Sequence, residues 1–137
     1  MKAKFTFLFA TLMLVVALKT NAQTKISNSN FLLNDKAIAN FINGIKSDNP
    51  GLRKSATRYS AEFGVKEAVE PIISVLTNQN KNSSIKVLAA LSLYDIGDPK
   101  GINAVLKAAI TDDDEYVRKM CAAIYYEQNK NNFTKTN

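Results

Sequence analysis

Few side chains in this 137-residue chain could support catalysis or bind a metal. The chain has no histidine, which excludes histidine-based triads, histidine general bases and metal sites with histidine ligands. It has one cysteine, Cys121, so an intramolecular disulfide is impossible. Two related segments carry alanine at this position, Ala56 and Ala89, so we expect Cys121 to be a small buried residue and not a reactive thiol.

The most acidic segment is residues 112–115 (DDDE). Oxygen ligands of this kind suit calcium, but the segment lacks the ligand spacing of an EF-hand loop and stands between two predicted helices. Acidic side chains interact favourably with the N-terminus of a helix, and this is the role we expect for them. The sequence therefore predicts no metal, no cofactor and no enzymatic activity.

A repeated segment organises the chain. Residues 49–53 (NPGLR) return as 82–86 (NSSIK) and again as 114–118 (DEYVR), at intervals of 33 and 32 residues. Gly64 returns as Gly97 at the same interval of 33. An interval near 33 residues is typical of repeat proteins, in which each unit buries its apolar face on the next.

Each repeat is predicted to contain two helices. Asn49, Asn82 and Asp114 should cap the first helices, because a short side-chain acceptor satisfies the free amides of the first turn. Gly64 and Gly97 should end the first helices of their units, since glycine adopts the left-handed conformation of a C-terminal cap.

The predicted helices are a lone second helix over about 35–47, two helix pairs over about 49–110, and a final first helix over about 115–129. The residues that face the core are expected at helical spacing in both helices of each unit. In the first helices they are Leu52, Ala56, Tyr59 and Phe63; Ile85, Leu88, Ala89, Ser92 and Ile96; and Val117, Met120, Cys121 and Ile124. In the second helices they are Ile38, Phe41, Ile42 and Ile45; Val69, Ile72, Ile73 and Leu76; and Ile102, Val105, Leu106 and Ala109. Leu91 and Ile72 are both predicted to be core residues.

The repeat has a recognisable pattern: a cap, an aliphatic residue followed by Lys or Arg, an alanine-rich helix, Gly-Asp-Pro and a second aliphatic helix. Residues 85–91 (IKVLAAL) with 96–99 (IGDP) match it best. This pattern resembles HEAT-type repeats, most closely the short repeats of bilin lyases, over residues 37–127. The resemblance implies an all-α fold, a short α-solenoid of HEAT-like helix pairs. Together with the N-terminal segment, it predicts an exported bacterial member of that family. The first unit departs from the pattern because no Asp-Pro follows Gly64, and the third unit lacks its second helix.

The N-terminus has the features of a secretory signal peptide. Lys2 and Lys4 precede an apolar run over 5–18, and small residues at 20–22 suit a cleavage site before Gln23. The apolar run is short for a membrane span of about 20 residues. Lys19 is unusual near a cleavage site, so an uncleaved N-terminal anchor stays open as the alternative.

We therefore predict a signal peptide over 1–22, a disordered linker over 23–34, a repeat domain over 35–129 and a disordered tail over 130–137. The two ends of the mature chain are polar and rich in asparagine, which favours disorder. The formal net charge of +6 becomes +3 without the signal peptide, which holds three lysines and no acid. No lysine-rich run remains, so we expect no nucleic acid and no membrane as partner after cleavage.

The predicted binding surface follows from the resemblance, which implies that the second helices line the concave side of the stack. Equivalent outward positions on these helices form two columns. They are Asn43, Ser74 and Lys107 in one column, and Ala39, Glu70 and Asn103 in the other. Asn43, Glu70, Ser74, Asn103 and Lys107 are the predicted contacts to a protein or peptide ligand.

Three other interpretations stay open: an envelope scaffold anchored by its N-terminus, a lyase-like subunit or chaperone for a small ligand, and, least favoured, an enzyme. A second binding surface is also possible on the first helices, around Arg53 and Arg118. We expect these basic residues either to lie on a solvated flank or to pair with neighbouring carboxylates such as Asp114.

Overall fold

The computed structural model describes residues 33–135 of the chain. This part contains six α-helices, one short 3-10 helix and no strand. The α-helices are α1 (Asp35–Lys46), α2 (Pro50–Glu62), α3 (Val69–Thr77), α4 (Ser83–Ile96), α5 (Pro99–Thr111) and α6 (Glu115–Lys135), and the 3-10 helix is Lys66–Ala68.

The helices pack in two layers. The first helices of the units, α2, α4 and α6, lie side by side, and the second helices, α1, α3 and α5, form the other layer against them. Helices that follow each other in the chain also pack together, except α2 and α3, which the 3-10 helix separates. The described part of the chain is therefore an all-α solenoid of helix pairs, as the sequence predicts.

The predicted caps of the first helices are confirmed. The Asn49 side chain accepts hydrogen bonds from the amides of Gly51 and Leu52 at 2.9 and 3.1 Å. Asn82 Oδ1 accepts from the amide of Ile85 at 3.0 Å, and Asp114 Oδ1 accepts from that of Tyr116 at 2.8 Å. These contacts satisfy amides that have no partner within the helix.

Gly64 and Gly97 follow the first helices of their units with φ of 63° and 72°. Only glycine adopts this left-handed conformation without a steric penalty, which explains the glycine in both repeats. After Gly97, the Asp98 side chain caps α5 through the amide of Lys100. After Gly64 no Asp-Pro is present, and the 3-10 helix Lys66–Ala68 precedes α3, which has no side-chain cap.

The last helix is longer than predicted, since α6 continues to Lys135 and passes the expected end of the repeat domain at residue 129. No glycine or proline occurs between residues 115 and 137 to stop it. The predicted signal peptide at 1–22 and most of the predicted linker at 23–34 lie outside the described residues. The limits of the domains stay predictions.

The core lies between the two layers. Its largest fully buried side chains include Ile45, Ile72 and Leu76 from the second helices, and Leu93 and Val117 from the first helices. The prediction for Ile72 is confirmed.

The prediction that Leu91 belongs to the core is wrong, because 42% of its surface is exposed. Ser84, Leu91 and Asp95 are exposed on one side of α4, while Ala89, Ala90 and Leu93 face the core. Leu52, Tyr59 and Phe63 of the first unit were also predicted to face the core, and each is about half exposed. Apolar spacing alone does not distinguish the inner arc of a helix from its outer arc when both carry leucine or aromatic residues.

Candidate partner-binding site

The second helices carry the predicted binding residues, and all of these residues lie at the surface. Asn43 on α1, Ser74 on α3 and Lys107 on α5 are exposed, and so are Ala39, Glu70 and Asn103. Because α1, α3 and α5 lie in one layer, these positions belong to one continuous face, which we call the second-helix face. That they contact a partner stays a prediction.

Two of these residues already interact with their surroundings. Glu70 Oε1 lies 2.5 Å from Lys100 Nζ, which joins α3 to α5, and this hydrogen bond with Glu70 raises the pKa of Lys100. The Ser74 hydroxyl donates to the Glu70 carbonyl at 3.1 Å. Across residues 33–135, the side chains of Asn43, Asn103 and Lys107 make no hydrogen bond or ion pair. These three side chains are therefore the ones available to a ligand without breaking an existing contact.

The basic residues of the first helices do not form a solvated flank as a set. Arg53 is 8% exposed and Lys86, its counterpart in the next repeat, is 2% exposed. Arg53 donates to the Ser47 carbonyl at 2.6 Å, and Arg118 donates to the Asp112 carbonyl at the same distance. Both arginines reach a carbonyl six residues upstream, so they hold the loop that precedes their own helix. The expectation of a solvated flank is wrong for Arg53.

A buried ion pair joins the second repeat to the third. Lys86 Nζ lies 2.5 Å from Asp112 Oδ2, and each side chain is only 3% exposed. Lys86 also donates to Gln79 Oε1 at 3.2 Å, and Asp112 Oδ1 accepts from the amide of Asp114 at 3.0 Å. Lys86 thus pairs with Asp112, whereas Arg53 and Arg118, for which pairing with carboxylates such as Asp114 was one expectation, bond to backbone carbonyls.

In the acidic segment 112–115, the side chains of Asp112, Asp114 and Glu115 form ion pairs or hydrogen bonds. Besides Asp112, Asp114 accepts hydrogen bonds from the Ser83 hydroxyl and the Tyr116 amide, and the Ser83 contact is the main reason that its pKa is lowered. Glu115 pairs with Lys119 at 2.7 Å at the start of α6. Within residues 33–135, no three or more Asp, Glu, Cys or His side chains are arranged to hold a metal ion.

Three surface depressions accompany these contacts. Two adjoin Arg53 and Lys81 and have volumes of about 200 and 280 Å³. The third, about 390 Å³, lies between α4 and α6 and is lined by Leu91, Tyr94, Ala123, Ile124 and Glu127. The first two lie at Arg53, one of the two residues around which the sequence left a second binding surface open, and the third was not predicted.

Cys121 is fully buried, as the sequence predicts. The pKa of its thiol is raised from 9.0 to about 11, mainly by burial and to a smaller extent by the negative charge of Asp112. The positive charge of Lys86 opposes this rise. Because the thiolate is the reactive form, we expect alkylation by iodoacetamide at pH 8 to be at least about 100-fold slower in the native protein than in denaturant. Intact mass against time measures both rates. Rapid native labelling at pH 8 would contradict the buried position.

Two layers of paired helices, with short loops and polar outward positions on the second helices, define an α-solenoid. The model of the HEAT repeats family matches residues 38–124. This range is more than half of the chain, and the protein belongs to the HEAT-repeat family. Comparison with curated proteins gives no match.

Family membership supports a coarse statement of function. HEAT repeats commonly mediate protein–protein interactions and are generally non-catalytic scaffolds. None of the helices in the described range 33–135 is long and apolar enough to cross a membrane.

Proposed function

We propose that the protein is an exported, non-enzymatic interaction module that binds a protein or peptide across its second-helix face. The observation that carries this proposal is the row of exposed polar side chains on three adjacent helices of a HEAT-repeat stack. An extended face of this kind suits an elongated partner, because each repeat adds one set of contacts along the stack. The basic and apolar N-terminal segment supports export.

The chemistry of the face favours recognition by hydrogen bonds. Asn103 and Lys107 are one helical turn apart on α5, so both can contact the same stretch of a ligand. Asn43 extends this surface to α1, and Glu70 with Lys100 supplies a charged pair between α3 and α5. An extended peptide could exchange its own backbone bonds to water for bonds to these amide and ammonium groups.

The test is a triple substitution, Glu70→Ala, Asn103→Ala and Lys107→Ala. The partner is first captured from envelope extracts with the purified protein and identified by mass spectrometry. We then expect the triple variant to bind that partner at least about tenfold more weakly, because interface positions that matter cost more than 1 kcal/mol each on truncation. Isothermal titration calorimetry measures the affinity.

A matched control carries Glu62→Ala, Ser84→Ala and Lys119→Ala, which removes the same number of charges from exposed positions of the first helices. Surface changes of this kind usually alter stability by about half a kcal/mol or less, so both variants should melt close to the parent. Equal affinity of the two triple variants would move the site away from the second-helix face. N-terminal sequencing of exported protein tests the other half of the proposal: Gln23 supports cleavage, whereas Met1 supports an anchored scaffold.

One observation favours a second candidate, a carrier or chaperone for a small apolar ligand. The depression between α4 and α6 combines exposed Leu91 with Tyr94 and Ile124, and its volume of about 390 Å³ is within the range of small-molecule pockets. Quenching of tyrosine fluorescence by an added apolar ligand, lost on Leu91→Asp, would support this function.

A further inference from the structure

Arg53 is a buried charge without a carboxylate. Its side chain is on the first turn of α2 and only 8% of the residue is exposed. Its one protein acceptor among residues 33–135 is the neutral Ser47 carbonyl at 2.6 Å. The ion pairs Lys86–Asp112, Lys100–Glu70 and Lys119–Glu115 do not include Arg53. A buried charge without a counter-charge is costly, so a guanidinium in this position has a strong preference for an added anion.

The repeat explains why the carboxylate is missing. Lys86 occupies the position of Arg53 one repeat later and pairs with Asp112, in the loop before the following first helix. The residue that corresponds to Asp112 in the preceding loop is Asn80, because each stands two residues before its cap, Asn82 or Asp114. Asn80 is neutral. The buried ammonium of Lys86 is therefore neutralised by a carboxylate of the chain, whereas the buried guanidinium of Arg53 is not.

The surroundings of Arg53 are open and cationic. Arg53 and Lys81 line both adjacent depressions, of about 200 and 280 Å³, which we name together the Arg53 cleft. Lys46 lines the first depression and Lys54 the second, and Asp48 in the second is the one carboxylate among the described residues that line the cleft. The first depression also offers the Ser74 hydroxyl and the Asn78 amide. Four cations face one anion, with neutral hydrogen-bonding groups between them.

We propose that the Arg53 cleft binds an acidic segment of a protein partner, with one Asp or Glu carboxylate in the first depression against Arg53 and a second carboxylate near Lys54 and Lys81. A guanidinium forms two parallel hydrogen bonds with a carboxylate, which a lysine cannot do, and a space of about 200 Å³ admits a single acidic side chain. The inference rests on the proposed function, because Ser74 belongs both to this depression and to the second-helix face.

The probe is a fluorescein-labelled hexaglutamate peptide, and its binding to the purified protein is followed by fluorescence anisotropy. The test variant is Lys46→Gln with Lys81→Gln, which leaves the Arg53–Ser47 hydrogen bond in place. The control variant is Lys66→Gln with Lys119→Gln, two exposed lysines outside the cleft. Both variants lose the same net charge, so a general attraction between a basic protein and an acidic peptide affects them equally.

We expect about fivefold weaker binding of hexaglutamate by the Lys46/Lys81 variant and less than about twofold by the control, in line with the strength of partly exposed ion pairs. Hexaglutamine should not bind. Equal weakening in both variants, or none in the Lys46/Lys81 variant, would overturn the proposal. Displacement of hexaglutamate by a single-stranded oligonucleotide at a tenfold lower concentration would also overturn it, in favour of a nucleic acid.

Arg53→Gln is the more direct substitution, and we expect it to abolish binding of hexaglutamate. Circular dichroism and melting temperature must first show that this variant folds, since Arg53 also holds the loop at Ser47. If Arg53→Gln does not fold, the Lys46/Lys81 variant tests the proposal. Failure of the cleft and failure of the proposed function are distinguishable: the triple variant of the second-helix face keeps all four cleft cations, so it should bind hexaglutamate normally while losing the natural partner.

Discussion

Replacement of Ile72 by aspartate is expected to lower the free energy of unfolding by about 4 kcal/mol or more, which removes most of the stability of a domain of this size. Ile72 lies on α3 between the two layers and none of its surface is exposed. The substitution removes buried apolar surface and introduces a carboxyl group that has no partner there. Urea denaturation followed by far-UV circular dichroism measures the change.

Leu91→Asp is the matched control for this prediction. Both residues are aliphatic and helical, but Leu91 is 42% exposed on the outward arc of α4. Its carboxylate can remain in water, so we expect a loss of about 1 kcal/mol, from partial burial alone. Equal destabilisation by the two substitutions would show that α4 is rotated about its axis so that Leu91 faces the core.

The repeat and the residues that begin and end its helices could be predicted from the sequence, because they depend on local chemistry. Asn49, Asn82 and Asp114 cap their helices through contacts with amides two or three residues away. Gly64 and Gly97 end helices through their own backbone dihedral angles. No knowledge of the neighbouring helices is needed for either.

The faces of the first helices could not be predicted in the same way. In a two-layer stack, α4 is packed against α2, α6 and both neighbouring second helices, so its buried arc is wide. Small residues such as Ala89 and Ala90 are fully buried, while Leu91 is partly exposed. Residue type is then a poor guide to burial, because close helix packing selects for size as well as for apolar character.

The burial of Arg53 and Lys86 was missed for a related reason. Their long aliphatic stems can cross the layer interface while the charged group reaches a loop carbonyl or carboxylate. The carboxylate itself, Asp112, is 26 residues from Lys86 in the chain and only the stacking of repeats brings the two together. The sequence nevertheless contained the recurrent basic residue, and the candidate cleft at Arg53 follows from comparing its partners across repeats.

The Lys86–Asp112 pair gives the second large effect. Asp112→Ala should lower the free energy of unfolding by about 3–5 kcal/mol, because it leaves the Lys86 ammonium buried with only the Gln79 amide as acceptor. Replacing both partners by apolar residues, Lys86→Met with Asp112→Leu, should recover most of this loss, since no charge then remains buried. Asp113→Ala is the control, because Asp113 is exposed and its side chain forms no ion pair among the described residues.

The position of the Lys86–Asp112 pair predicts which helix of the Asp112→Ala variant unfolds first. In a solenoid, the free energy of unfolding is approximately a sum of terms for each repeat and terms for each interface between repeats. Lys86–Asp112 belongs to the interface between α4 and the loop that precedes α6. The terminal helix α6 should therefore open while α1–α4 stay folded. Cys121 on α6 reports this opening. Because loss of the Asp112 charge by itself lowers the pKa of the thiol, the measure is the urea dependence of iodoacetamide labelling, which should be steeper in the Asp112→Ala variant than in the parent at urea concentrations where circular dichroism is unchanged. Unchanged labelling, with normal stability, would mean that the pair contributes no more than a surface contact.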